Sequence, residues 1–526
     1  MFYTVIRILV IAVCCTAAGL SAMHMLQAQR YQTPALSREL RRYGGLLGTN
    51  VLVALLATLV NWYLPVLLSM AVQKERLRET VSNWLMLVLF ALATAIVVLQ
   101  KRRIPQRREF SWTRRVCRLI TAVFLVNLLE AILLNALSLS PYLAFAGVDY
   151  VVLLCAMLLS PLEDRINARY YNQARKKLAA ARNLIRIGVT GSYGKTETKL
   201  ILRTLLSEKY RVLCTPPGFA SAMGISRVVN EQLASGHQVF IAEMGAQKRG
   251  EIREMARLVR PNCGAITCIG AAHLDSFGSL EAVAQAKYEL IKSLPEDGKA
   301  FFGADGSYGD RLYALCKAEK YRAGAEAAGE CFMRAEHVET GAKGTRFELA
   351  CADGGLIWVQ TRLLGIYAVR NIALAAAIAR KLGLSMEEIA RGVGKLKPIR
   401  GRMQLVPGEI NVIDDSENAL PEAAAEALRV LSEFPGRRIL VTAGLDPAAQ
   451  DSNYAFGMQA AACADHVVLV GPEDTREVMR GLMSARYPKS SVRMVREAGD
   501  AAALVKELAT QGDSVLYEGV YPEAAD

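Results

Sequence analysis

Hydrophobic and polar positions divide the chain in two. Up to residue 160 the apolar residues come in long unbroken runs, about Phe2 to Met23, Leu46 to Ala71, Trp84 to Gln100, Leu119 to Leu139 and Tyr142 to Ser160. Each approaches the roughly 20 residues a helix needs to cross a hydrocarbon core, and the third is the shortest. Beyond Ser160 the runs shorten. Leu162 to Asn183 strings Arg165, Arg169, Arg175, Lys176, Lys177 and Arg182 along a basic helix. From Leu184 onward, strand-like runs such as Leu184 to Val189, Val239 to Ala242, Ala265 to Ile269, Arg438 to Thr442, His466 to Val470 and Ser514 to Tyr517 alternate with helical stretches, among them the Ala-rich Val369 to Leu384. The pattern predicts a multi-domain chain. Residues 1–160 form an α-helical membrane region of about five spans, and 161–183 a basic juxtamembrane linker helix. Residues 184–397 form an α/β central domain and 398–526 a smaller Rossmann-like α/β domain, with Gly401 as the bend between them.

Charge gives the front part an orientation. Its first 183 residues hold 22 lysines and arginines against 8 acids, so the whole excess of +13 lies in the hydrophobic part and the rest is nearly neutral. That distribution describes membrane topology and excludes a nucleic-acid surface. The most basic loop, Lys101 to Arg118, belongs on the cytoplasmic side. Counting spans from it puts the amino terminus outside, Arg30 to Arg42 inside, Lys74 to Glu79 outside, and everything after Ser160 inside. The expected location is therefore the cell membrane, multi-pass, with the soluble domains in the cytoplasm; a cleaved signal peptide is the alternative for the first stretch alone. Glu130 and Asp149 stand in the last two runs, equally far from the turn near Leu139. They read either as a site for a polar or cationic group or as a pair bonded to each other, Asn127 or Asn135 to lock the helices. The 11 cysteines form no C-x-x-C pair, which suits a reducing compartment, and Cys263 with Cys268 lacks the second ligand pair of a zinc site.

The densest chemistry lies at Ile187 to Leu200, IGVTGSYGKTETKL. A buried strand, a glycine-spaced loop and a helix follow in the order that a phosphate-binding loop requires. Gly191 and Gly194 let backbone N–H groups turn inward, Lys195 supplies a mobile cation, and the Thr196 hydroxyl can ligate magnesium. The spacing is TGxxGKT, with Val189 where the general motif has its first glycine. Downstream, Val239 to Ala242 ends in Glu243, where a metal-binding carboxylate is expected beside a phosphate loop. Taken alone, His273 is a loop hydrogen-bonder and Lys287 a solvated helix residue.

In order, GVTGSYGKTETK, AEMGAQKRGEI, TCIGAAHLDSFGSLEAVAQAK, LLGIYAVRNIALAAA, GRMQLV and VIDDSENALP resemble the Mur ligase family over about residues 184 to 526. Within it they are most similar to the D-alanyl-D-alanine-adding branch, in a membrane-anchored Gram-positive-type form. The resemblance implies a Mur ligase central ATP-binding domain over 184–397 and a Mur ligase C-terminal domain over 398–526. It also implies an ATP-dependent acid–amino-acid ligase of cell-envelope and peptidoglycan biosynthesis, with ATP and Mg2+ as cofactors. A carboxylate acceptor and an amine donor come from envelope precursors, possible lipid-linked ones included. By resemblance Thr190, Gly191, Ser192, Gly194, Lys195 and Thr196 hold the ATP phosphates, while Thr196, Glu243, His273 and a carbamylated Lys287 bind metal. Asn371 meets the adenine, Arg402 the phosphates and Asp415 the ribose, and Lys195, Lys287 and His273 are the catalytic set. Departures cluster on the substrate side: Gly218 to Ala222 replaces an Asn-rich loop, Cys268 an Asn, Tyr367 a His, Glu417 and Leu420 alter DDSYNANP, and Glu518 replaces a lysine. They keep a second reading open, a catalytically weak or inactive ATP-binding scaffold or regulator of envelope synthesis.

Overall fold

The computed structural model describes residues 2–520 except 30, 32, 43, 71, 73, 103–109, 271–273, 305–306, 327–328, 407, 418–420, 446–449 and 474. It divides into two compact units, 1–169 and 170–526.

The first unit is helical: α1 (Phe2–Ala18), α2 (Leu20–Ala28), α3 (Thr33–Arg42), α4 (Gly44–Ser69), α5 (Glu75–Arg102), α6 (Arg114–Ala136), a 3-10 segment Pro141–Gly147, and α7 (Val148–Ala180), which continues into the second unit. Five segments, Phe2–Ala28, Gly48–Ser69, Glu75–Lys101, Arg114–Ala136 and Pro141–Ala180, are long and apolar enough to cross a membrane. Leu52, Leu55, Leu59, Trp62 and Val66 of α4 face outward, while Asn50, Lys101, Asn127 and Asp149 are buried. Apolar outside and polar inside suits a lipid solvent, where an unpaired polar group has no water to turn to. Lys101, assigned from sequence to the basic loop, is instead tucked inside at the end of α5. Its Nζ lies 2.8 and 3.0 Å from the Asp149 oxygens, and Asn50 Nδ2 donates to the same carboxylate at 2.9 Å. Asp149 thus ties α4, α5 and α7 together, in place of the pairing with Glu130, Asn127 or Asn135 that its position suggests. The stretch 161–183, set apart as a linker by its charge, belongs to the unbroken α7 as far as Ala180.

In the second unit, nine strands form one sheet: β1 (Ile185–Thr190), β2 (Val212–Cys214), β3 (Val239–Glu243), β4 (Cys263–Ile266), β5 (Lys299–Gly303), β6 (Glu319–Ala325), β7 (Met333–Gly341), β8 (Gly344–Cys351) and β9 (Leu356–Thr361), in the order β2-β3-β1-β4-β5-β6-β7-β8-β9. The strands are parallel as far as β7 and antiparallel from there. Helices α8 (Lys195–Leu206), α9 (Ala222–Gln232), α10 (Glu251–Val259), α11 (Leu274–Phe277), α12 (Leu280–Lys292), α13 (Ser307–Leu315), α14 (Gly365–Lys381) and α15 (Met386–Gly394) accompany it. Ala373, Ala375, Ala376, Ala377 and Ala379 of α14 are all buried; methyl-sized side chains allow a helix to lie close against its neighbours. A smaller sheet follows: β10 (Gln404–Val406), β11 (Asn411–Asp415), β12 (Arg438–Thr442), β13 (His466–Val470), β14 (Val492–Val495) and β15 (Ser514–Glu518), ordered β10-β11-β15-β12-β13-β14, with only β10 antiparallel. Its helices are α16 (Pro421–Ser432), α17 (Gln450–Cys463), α18 (Arg476–Ser484) and α19 (Ala498–Leu508). Fully buried Val and Leu on β12, β13 and β15 fill its core, as expected of parallel strands covered on both faces.

Candidate functional site

Three adjacent strand ends build the site. β1 lies between β3 and β4, so Thr190, Glu243 and Thr267 emerge together at the carboxyl edge, where open α/β sheets bind ligands. Thr190 donates its hydroxyl proton to the Met244 carbonyl at 2.8 Å. The loop that follows cannot carry ordinary side chains at its glycines. A Cβ on Gly191 would overlap the Thr267 hydroxyl, and one on Gly194, at φ 75°, would lie 2.5 Å from Asn371 Oδ1. Ser192 N–H donates to the Cys268 carbonyl at 2.8 Å, and its hydroxyl lies 2.9 Å from both N and O of Gly270. Thr267 closes the tie by donating to the Tyr193 carbonyl. The loop is therefore pinned to the segment after β4, and α8 begins at Lys195 with its first N–H groups free of intrahelical partners.

Charges converge on this loop. Thr196 Oγ1 donates to one Glu243 oxygen at 3.0 Å, and the fully buried Lys199 ammonium sits 2.7 Å from the other. The Glu243 backbone N–H is held in turn by Thr215 Oγ1 at 3.1 Å. Lys195 keeps some exposed surface and donates to the Ser192 carbonyl at 2.9 Å, but its crowded surroundings lower its pKa, chiefly by burial. Lys287 on α12 is 2 % exposed; burial, and after it the positive charge of Lys195, pushes its amine down to about 7. The two amines sit in a poorly hydrated place that an anion would relieve.

A second cluster borders the loop helix. Glu197 accepts Asn371 Nδ2 at 3.3 Å and Arg402 Nη1 at 3.2 Å, and Thr198 donates to Asn371 Oδ1 at 3.1 Å. Met403, a non-glycine residue at φ 45°, turns its N–H onto Asp415 Oδ1 at 2.9 Å. Asp415 and Glu518 are cross-strand neighbours at the ends of β11 and β15, both fully buried. Burial, then the Asp415 charge, holds the Glu518 carboxyl well above the usual carboxylate range.

The fold thus brings Thr190, Gly191, Ser192, Gly194, Lys195, Thr196, Glu243 and Lys287 together, and links Asn371 to Arg402 through Glu197. Asp415 stands one residue beyond the Arg402 contact, through Met403. His273 lies outside the described residues. Sequence reasoning missed Lys199 and Glu197. Lys199 follows Thr196 at helical i,i+3 spacing, a signal that it shares a face with Thr196; nothing in the sequence marks Glu197 as the partner of a residue 205 positions away.

A phosphate-type loop at the carboxyl edge of a parallel sheet, with a strand-end carboxylate beside it and a second α/β domain supplying an arginine, defines a two-domain α/β protein of the phosphate-loop class. Residues 189–379 match the Mur ligase middle domain and 401–520 the Mur ligase glutamate ligase domain, and the chain belongs to the Mur ligase family across these residues. It is 32% identical over 302 residues to the UDP-N-acetylmuramoyl-tripeptide–D-alanyl-D-alanine ligase of Treponema pallidum, covering 56% of this chain and 64% of that relative. To the enzyme of the same name from Escherichia coli it is 32% identical over 259 residues, covering 48% and 56%. The chain therefore spans less than two thirds of the length of either. The crystal structure of MurF from Acinetobacter baumannii superposes with a TM-score of 0.60 at 24% identity, covering 67% of this chain and 77% of that one. That of MurF ligase from Thermotoga maritima in complex with ADP does so at 0.59 and 23%, covering 67% and 80%.

Proposed function

We propose that this chain is a membrane-anchored Mur-type ligase that uses ATP to join a carboxylate to an amine in peptidoglycan or wider cell-envelope biosynthesis. The contact that carries the reading is Thr196 with Glu243: a hydroxyl and a carboxylate from different elements, 3.0 Å apart beside a phosphate-type loop. Both are hard oxygen donors, the kind magnesium selects, so Thr196 and Glu243 fit as its holders, with His273 and a carbamylated Lys287 as the family's further ligands. When bound, magnesium would neutralise phosphate charge.

The chain's own residues supply the rest. Lys195 and the loop N–H groups receive the phosphates, and the negative charge of the phosphates favours the charged form of the Lys195 amine. Lys199 takes one oxygen of Glu243 and leaves the other directed at Thr196. Asn371, Arg402 and Asp415 take the adenine, phosphates and ribose as in the family, which requires Arg402 and Asn371 to let go of Glu197. In the reaction a carboxylate oxygen attacks the γ-phosphorus and ADP leaves. The amine nitrogen then attacks the acyl carbon, forming the C–N bond, expelling inorganic phosphate and giving up a proton. Burial pushes the Lys287 amine down to about 7, so a substantial share is in the neutral form that can add carbon dioxide, which supports its assignment as the carbamylated lysine. The apolar exterior of the helical unit supports the membrane anchor, with the ligase domains on the ATP side.

Lys195→Ala in the full chain should abolish ADP release while the protein still inserts and folds. Undiminished ATP-dependent amide formation by that variant would overturn the proposal. ATP binding by the native chain with no ADP release, over a panel of envelope peptides and amines, would favour the scaffold instead.

A further inference from the structure

Beyond Asp149, α7 presents an outward face whose character changes along its length. Leu154, Leu158 and Leu162 are 46 to 68 % exposed, and the exposed Arg165 and Arg169 follow them. Steps of four, four, three and four residues keep all five on one side of the helix. The opposite side fixes that rotation. Buried Glu163 accepts Arg118 Nε at 2.6 Å and Nη2 at 2.8 Å, and Arg115 lies 3.9 Å from it. Glu163 is therefore occupied by α6, and neither Arg165 nor Arg169 makes a hydrogen bond or ion pair among the described residues, with Asp164 beside them included.

The level of these groups along the span decides what they meet. α6 runs outward from the basic side and α7 returns to it, so residues after Glu163 lie in the same direction as those before Arg118. At a rise of 1.5 Å per residue, Arg165 and Arg169 stand about 3 and 9 Å past Glu163. The exposed Arg114 stands about 6 Å before Arg118 on α6. Just ahead of it is the exposed Trp112, a residue type that collects at headgroup level. The headgroup layer adds about 5–8 Å on each side of the hydrocarbon core, and both arginines, about 6 Å apart along the axis, fit within it. Lys176 shares their face but lies about 17 Å past Arg165, outside that layer.

We propose that this face of α7 binds a phospholipid with an anionic headgroup, its acyl chains along Leu154, Leu158 and Leu162 and its phosphate on Arg165 and Arg169. A guanidinium matches phosphate oxygens with two parallel hydrogen bonds, and two arginines one turn apart can share one phosphate. A zwitterionic lipid brings its own ammonium, which cancels part of that attraction, so a net negative headgroup is preferred. A soluble anion would gain the arginines alone. A lipid gains the leucine stripe as well, which makes it the occupant that fits the whole face. The site rests on reading the first unit as membrane-spanning and is independent of the ligase chemistry.

The test is native mass spectrometry of the full chain in detergent micelles, titrated with phosphatidylglycerol or phosphatidylcholine of the same acyl chains. The native chain should retain phosphatidylglycerol about tenfold more tightly, the preference expected of two arginines at headgroup level. The double variant Arg165→Gln, Arg169→Gln should lose that preference while staying in carbonate-washed membranes, the sign of intact insertion. Lys176→Gln, on the same face but out of reach, should keep it, and millimolar inorganic phosphate should not displace the lipid. Equal retention of the two lipids by the native chain, an unchanged preference in the double variant, an equal loss in Lys176→Gln, or displacement by inorganic phosphate would each overturn the site and leave the membrane anchor standing. Release of the native chain by carbonate would overturn both.

Discussion

At the scale of single residues, Lys287 shows how position outweighs type. A lysine in a helix is ordinarily a solvated cation near 10.5, yet here the amine is pushed down to about 7. The folded state binds fewer protons than the unfolded one between about 7 and 10.5, so this group's penalty on stability is full below pH 7 and fades as pH rises through that window. Lys287→Met should therefore raise thermal stability, by most at or below pH 7 and by progressively less toward pH 10. A gain that is constant or grows with pH would show that the lysine is not destabilised by burial. The sequence exposes the phosphate loop almost completely, because glycine spacing, Lys195 and Thr196 act through local backbone geometry. It says much less about Glu197 and Lys199. Their roles follow from Arg402, Asn371 and Glu243, which only the fold brings within reach.

Among the elements, buried parallel strands and amphipathic helices announce themselves because each needs its own run of apolar positions. β1, β3, β4, β12, β13 and β15 are all legible in this way. The antiparallel β7, β8 and β9 are not. Their burial alternates, and a bulge between Glu336 and Glu339 interrupts the period, so no continuous apolar run marks them. Helix packing in the smaller domain is equally silent in sequence. α17 and α18 cross so closely that a Cβ on Gly457 would overlap the Val478 carbonyl, and one on Gly481 the Tyr454 carbonyl. Helix propensity alone favours Gly457→Ala by about 1 kcal/mol. Backbone overlap costs about 1–3 kcal/mol, so that variant should melt earlier than the native chain in calorimetry. A higher melting temperature would mean that the helices can separate without cost.

For the molecule as a whole, the inverted distribution of polarity in the first unit leads to a direct test. The full chain should stay in the pellet when membranes are washed with alkaline carbonate; release into the supernatant would rule out spanning helices. Within this unit the Asp149 carboxylate takes the Lys101 ammonium and the Asn50 amide N–H, so its charge is matched as low dielectric demands, though the three come from segments 48 to 99 positions apart. Taken alone, the sequence determined the division into an apolar helical part and alternating α/β parts, the phosphate-type loop and the family to which the α/β parts belong. Those features rest on local periodicity, local turn chemistry and the order of short motifs, all of which survive in one dimension. Only the tertiary structure decided which carboxylate faces Thr196, that Arg402 is held by Glu197, that burial pushes the Lys287 amine down, and that Asp149 pairs with Lys101. Burial and charge pairing are properties of neighbours in space, and folding makes neighbours of residues that the sequence keeps far apart.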